Sequence, residues 1–143
     1  MRTSARFLAV AAALAAACTV PLSAQDAGGY RLTHKIAVGG EGGWDYTSVE
    51  GGRLYVAHAT KLVVIDLRTE TVVGEVPNTN GIHGAAIALD LGKGFTSNGR
   101  DTTVTIFDLY TLATLGTVKV TGANPDAIQI GRASCRERVC LAV

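Results

Sequence analysis

Three side chains able to bind or transfer a proton recur at matched places in this sequence. Trp44-Asp45, His83-Gly84 and Pro125-Asp126 occupy equivalent positions, with steps of 39 and 42 residues between Asp45, Gly84 and Asp126. Two carboxylates and an imidazole act as metal or substrate ligands when a fold makes them converge. The competing interpretation is plain loop structure: Asp and Pro start strands, and a lone histidine often only bonds a carbonyl. Arg100 is the best non-repeated polar candidate for ligand contact, although a solvated loop tip is the favoured reading. The candidate ligand-binding residues are therefore Trp44, Asp45, His83, Arg100 and Asp126. No catalytic residue is assigned.

Other chemistries are disfavoured by spacing and composition. His34, His58 and His83 lack a metal-ligand spacing such as H-x3-H, so no metal and no cofactor is expected. Cysteines stand at 18, 135 and 140, leaving residues 25–129 without a thiolate ligand or a cysteine nucleophile. Residues 39–43 are glycine-rich but lack the Gly-Lys-Ser/Thr ending of a phosphate loop. Residues 25–129 hold eight Lys/Arg against eleven Asp/Glu, a net of −3 with no basic cluster. Binding to a phosphate backbone depends on grouped Lys and Arg, so no nucleic-acid partner is expected.

The elements that must position these side chains show as a repeat. Residues 61–76, KLVVIDLRTETVVGEV, are echoed by 103–118, TVTIFDLYTLATLGTV. Asp66 and Asp108, Thr69 and Thr111, Gly74 and Gly116, and Val76 and Val118 all match at an offset of 42. A period near 40 with strand-like content marks a propeller blade. Four short strands, a to d, are expected per blade. In the first they fall at 44–49, 53–58, 62–65 and 71–76; in the second at 84–89, 94–97, 103–107 and 114–120. An additional strand is expected at 32–38.

Paired glycines and Asn98-Gly99 supply turns that need positive φ. The second b–c turn is expected to be three residues longer than the first. Asp66 and Asp108, one per blade, read as turn formers whose carboxylates accept backbone N–H groups. Leu54, Val56, Val63, Ile65, Ile87, Phe95, Val104, Ile106 and Val118 are the predicted core. The fold class is all-β: a β-propeller fragment of about two four-stranded blades, 44–76 and 84–120, with a third starting at 124.

The ends differ from this body. Arg2 and Arg6, an apolar run over 7–17, and Pro21-Leu22-Ser23-Ala24 have the layout of a secretory signal helix over 1–24, cleaved after Ala24. The run is shorter than the ~20 residues that span a bilayer, so no transmembrane span is expected after cleavage. Cys18 weakly resembles a lipobox cysteine, which makes a lipid anchor the lesser alternative. The partial propeller occupies 25–129. Residues 130–143 match neither blade and resemble the translation of a sequencing adapter, so they are expected to be a non-native tail.

Tyr55-Val56-Ala57-His58, then Val64-Ile65-Asp66 and Val72-Val73-Gly74-Glu75-Val76, resemble the YVTN-type β-propeller repeat. Phe95-Thr96-Ser97-Asn98 is the diverged second copy of the first run. Gly42-Gly43-Trp44-Asp45-Tyr46 and Gly81-Ile82-His83-Gly84 add a similarity to the YncE-like exported propellers. The resemblance covers about residues 33–129. It implies a periplasmic or secreted repeat protein that serves as a binding or interaction scaffold. An unknown small molecule or protein would bind at the mouth of the propeller channel. A propeller enzyme, either a lactonase-like hydrolase or a dehydrogenase-type subunit, is the alternative. Propellers of this type typically have seven blades, and closed rings need about four to eight. The resemblance therefore implies an incomplete ring.

Overall fold

Alternating apolar residues and tight turns produce two four-stranded antiparallel sheets. The structure is a computed structural model that describes residues 29–131 and 139–142. The first sheet runs β1 (Trp44–Glu50), β2 (Arg53–His58), β3 (Lys61–Asp66) and β4 (Thr71–Val76), in that spatial order. The second runs β5 (Ile82–Ala88), β6 (Lys93–Asn98), β7 (Thr103–Asp108) and β8 (Thr114–Lys119). A short 3-10 turn, Leu89–Leu91, joins β5 to β6. A third unit begins with β9 (Ala127–Ile130), which pairs antiparallel with β10 (Val139–Ala142).

Each sheet is a propeller blade, and its two faces are set by strand alternation. In the first blade Tyr55 and Ala57 of β2 share a face with Leu62 and Val64 of β3, their register partners. That face meets Ile82, Phe107 and Leu109 of the second blade, forming the main core. The opposite face, Val56, Val63 and Ile65, is covered by Leu54, Ile36 and Val38. Phe107 has no exposed surface and lies over Gly94, its partner across β6 and β7. A side chain of this kind contributes about 1.5–3 kcal/mol when fully buried.

The repeated aspartates close equivalent turns. Asp66 Oδ1 accepts the N–H groups of Arg68 (2.9 Å) and Thr69 (2.8 Å) and the Thr69 hydroxyl (3.2 Å). Asp108 Oδ1 accepts those of Tyr110 (2.9 Å) and Thr111 (2.8 Å) and the Thr111 hydroxyl (3.0 Å). Backbone N–H donors, led by Thr69 and Thr111, hold both carboxyls below the ordinary aspartate range. Both blades also share a register shift between strands c and d, at Val64/Ile65 and at Ile106/Phe107.

Several expectations need correction. Residues 32–38 carry no strand; Ile36 and Val38 instead pack against the first blade through side chains. The second b–c turn, 99–102, is two residues longer than the first, 59–60, not three. Val118 is 52% exposed because β8 is the outer strand. Leu54, Ile87, Phe95 and Ile106 are half-buried, whereas Tyr55, Leu62, Val64 and Phe107 are fully inside. Residues 1–28, 132–138 and 143 lie outside the described residues. That includes the signal segment, Cys18, Cys135 and most of the tail.

Two outcomes follow. Gly94→Ala forces a methyl into the Phe107 ring. The Ala gain of about 0.5–1 kcal/mol in backbone entropy is smaller than an overpacking cost of about 1–3 kcal/mol. A lower denaturant midpoint is expected, and an unchanged or raised one would contradict the packing. For Asp66 and Asp108, depressed folded-state values mean stabilisation present above the unfolded carboxyl range and lost as pH falls through the folded values. Asp66→Asn with Asp108→Asn should flatten the acid limb of a stability-against-pH curve.

Candidate functional site

The innermost strands of the two blades and the third unit, β1, β5 and β9, lie side by side. Residues 48–50, 85–87 and 128–130 line a shallow groove along them, and Ser48 Oγ donates to the Ala85 carbonyl at 3.1 Å. Asp45 and His83 occupy the starts of β1 and β5, and Asp126 immediately precedes β9. All three therefore stand at one end of this groove.

Local irregularity aims two of them. Register between β1 and β2 shifts between Trp44 and Thr47, and between β5 and β6 it shifts between Ile82 and Gly84. Asp45 and His83 fall inside these shifts, in the manner of β-bulges that re-aim a side chain. The second blade then ties its start to the third unit. Gly84 N–H donates to Ser97 Oγ (3.3 Å), and Ser97 Oγ donates to the Asp126 carbonyl (2.9 Å). A ladder of turn hydrogen bonds crosses the same end: Ala59 N–H to Gly43 O (2.9 Å), Gly81 N–H to Ala59 O (3.0 Å) and Gly99 N–H to Gly81 O (2.8 Å).

The side chains converge on His83. Its Nδ1 lies 2.7 Å from Asp45 Oδ2 and 3.3 Å from Asp126 Oδ1, while Nε2 lies 3.3 Å from Asn124 Oδ1. Side-chain exposures of 22% for His83, 36% for Asp45 and 55% for Asp126 leave the group open on one side. Desolvation acts against the charged imidazole. Hydrogen bonds to Asp45 and Asn124, with the charges of Asp45 and Asp126, outweigh it and raise the His83 pKa above its ordinary value.

The other candidates lie elsewhere. Trp44 stacks on His58, its register partner, with ring centroids 3.8 Å apart and planes 7° from parallel. His58 is buried and both ring nitrogens lack a hydrogen-bond partner. Its counterpart in the second blade, Asn98, instead donates to Thr103 Oγ1 (3.1 Å) and Thr105 Oγ1 (2.8 Å) and accepts from Thr96 (2.8 Å). Arg100 is exposed in the 99–102 turn and packs its Cβ against Gly81; among the described residues it pairs with neither Asp45 nor Asp126.

Sequence reasoning gives Asn124 and Ser97 no role at the site and takes Gly99 as a positive-φ turn residue, whereas the positive φ of that turn falls at Thr102. Asn124 sits at φ 52°, a left-handed conformation that Asn tolerates. Gly99 is buried, and a Cβ there would overlap Asn124 Oδ1 and the His83 ring. The signal available was adjacency, since Asn124 is two residues before Asp126 and Gly99 follows the b strand directly.

No protein-family model and no curated protein matches the chain. Solved structures do. Hydrazine synthase of Kuenenia stuttgartiensis is similar over 57% of this chain and 24% of its own, at 24% identity and TM-score 0.54. The β-propeller domain of Cps50 (Swd1) from Myceliophteria thermophila is similar over 63% of this chain and 29% of its own, at 15% identity and TM-score 0.52. AztD from Citrobacter koseri, in its apo form, is similar over 55% of this chain and 23% of its own, at 18% identity and TM-score 0.47. The chain spans less than a third of the length of each. The fold is that of a β-propeller, here seen as two blades and the start of a third.

The His83 geometry sets a pH response. With the folded-state pKa raised, the stabilisation is fully present below the unfolded histidine value of about 6.5 and is lost as pH rises through the folded value. An NMR titration of the His83 ring should show a midpoint above the ordinary one, and Asp45→Asn should lower it. An unshifted midpoint in both proteins would contradict the pairing.

Proposed function

We propose that this β-propeller belongs to an exported, YVTN-type or YncE-like protein that works as a binding platform. Its ligand presents a positively charged group to the mouth formed by Asp45, His83 and Asp126. The observation that carries this reading is the convergence of one such side chain from each of three successive units on one end of the groove. Two carboxylates around one imidazole leave the group net negative whether or not His83 is charged. Neither carboxylate is paired with a Lys or Arg among the described residues, so a cationic partner is the complement the site lacks. Export is supported by the signal-like layout of residues 1–24, and the scaffold role by the repeat resemblance. No helix among the described residues is long and apolar enough to cross a membrane.

The test is an NMR titration of labelled protein with small probes of each charge class: methylamine, guanidinium, acetate and inorganic phosphate. Shifts confined to Asp45, His83, Asp126 and their neighbours are expected with the cations. Shifts there with the anions alone would overturn the reading.

A further inference from the structure

We infer that Asp45, His83 and Asp126 form a three-ligand site for a divalent first-row transition metal, open to a further ligand; this rests on the cation-binding reading above and narrows it. The three donor atoms, one imidazole nitrogen and two carboxylate oxygens, lie within 4.8 Å of one another. Metal–ligand bonds of about 2.0–2.2 Å in tetrahedral geometry place neighbouring donors roughly 3.4 Å apart. The Nδ1 to Asp126 Oδ1 distance, 3.3 Å, already has that value. The Asp45 contact, at 2.7 Å, needs to open by less than an ångström, a shift within reach of rotation at an exposed carboxylate.

The imidazole itself argues for a cation at this point. Its three close polar neighbours are all oxygens: Asp45 and Asp126 on Nδ1, Asn124 Oδ1 on Nε2. A neutral imidazole carries one N–H and one lone pair. In the tautomer that donates Nε2–H to Asn124, the Nδ1 lone pair faces two carboxylates, and a proton or a metal ion between them makes that arrangement attractive. Asn124 then takes the place of the outer partner that fixes the tautomer of a metal-bound histidine. The imidazole donor favours first-row metals such as Zn²⁺ over Ca²⁺ or Mg²⁺, which prefer oxygen alone. Exposure of 36% and 55% at the two aspartates leaves the outward positions free for water or ligand, unlike a closed structural site.

No ligand spacing within one element marks this set, because each donor comes from a different unit. The experiment uses the full chain with Cys18→Ser, Cys135→Ser and Cys140→Ser, so that thiolates do not compete. Zn²⁺ is titrated calorimetrically, and X-ray absorption reports its ligands. One Zn²⁺ per chain is expected, with a light-atom shell containing one imidazole. His83→Ala should abolish binding, Asp45→Asn and Asp126→Asn should each weaken it at least about tenfold, and Asn124→Ala about 10–100-fold. A hundredfold excess of Mg²⁺ or Ca²⁺ should not displace it. Overturning results are the absence of Zn²⁺ binding, affinity untouched by these changes in variants with unaltered circular dichroism, or a shell of several imidazoles. The absorption measurement on the unsubstituted site decides the matter even where a variant fails to fold. If methylamine or guanidinium binds at the mouth and Zn²⁺ does not, the metal inference fails while the cation-binding reading stands.

Discussion

The contact on which the rest depends is the one between the Tyr55 face of the first blade and the Phe107 face of the second. A four-stranded sheet of six- and seven-residue strands cannot bury its own apolar side chains; only a neighbouring sheet can. Tyr55, Leu62, Val64 and Phe107 are sealed by that contact. It also fixes the distance between β1 and β5, and therefore between Asp45 and His83. Toward the groove the same face of the second blade changes character: Thr96, Asn98, Thr103 and Thr105 form a hydrogen-bonded network beside the apolar part. That network stays within the second blade; the bonds that cross from the first blade include those of Ser48 with the Ala85 carbonyl and of Asp45 with His83.

Much of this architecture could be read from the chain. The 42-residue offset places β3, β4, β7 and β8, because the period of a repeat is insensitive to the details of any one turn. The two aspartate turns followed from chemistry, since a carboxylate three residues before Thr has local N–H groups to accept. What alternation could not supply was the inward face. β3 is apolar on both sides, so the choice between Val63 with Ile65 and Leu62 with Val64 depends on which neighbour is present. Both pairs prove to be buried, one by the next blade and one by Ile36 and Val38. Val118 misled for the same reason: it is strand-like in sequence but sits on the outermost strand.

The site was legible as a set of matched positions and no further. Equivalence across the repeats marked the starts of the innermost strands at Trp44-Asp45, His83-Gly84 and Pro125-Asp126. It could not say that the bulges would turn Asp45 and His83 toward each other while leaving Trp44 against His58. Nor could it find Ser97, whose hydroxyl bridges Gly84 and Asp126 across a unit boundary. Such partners are set by how one blade sits on the next, which is a tertiary property.

The two kinds of matched position behave differently between copies. At Asp66 and Asp108 the blades are identical, and each turn is completed by its own neighbours. At the mouth the units differ, offering aspartate, histidine and aspartate to one shared point. Blades are therefore interchangeable as building units but not as contributors to the mouth. Transplanting either blade onto the other would preserve turns, ladders and much of the packing, yet leave three carboxylates, or two rings and one carboxylate, where the arrangement holds two carboxylates and one ring. The composition of the mouth therefore depends on the order of the repeats.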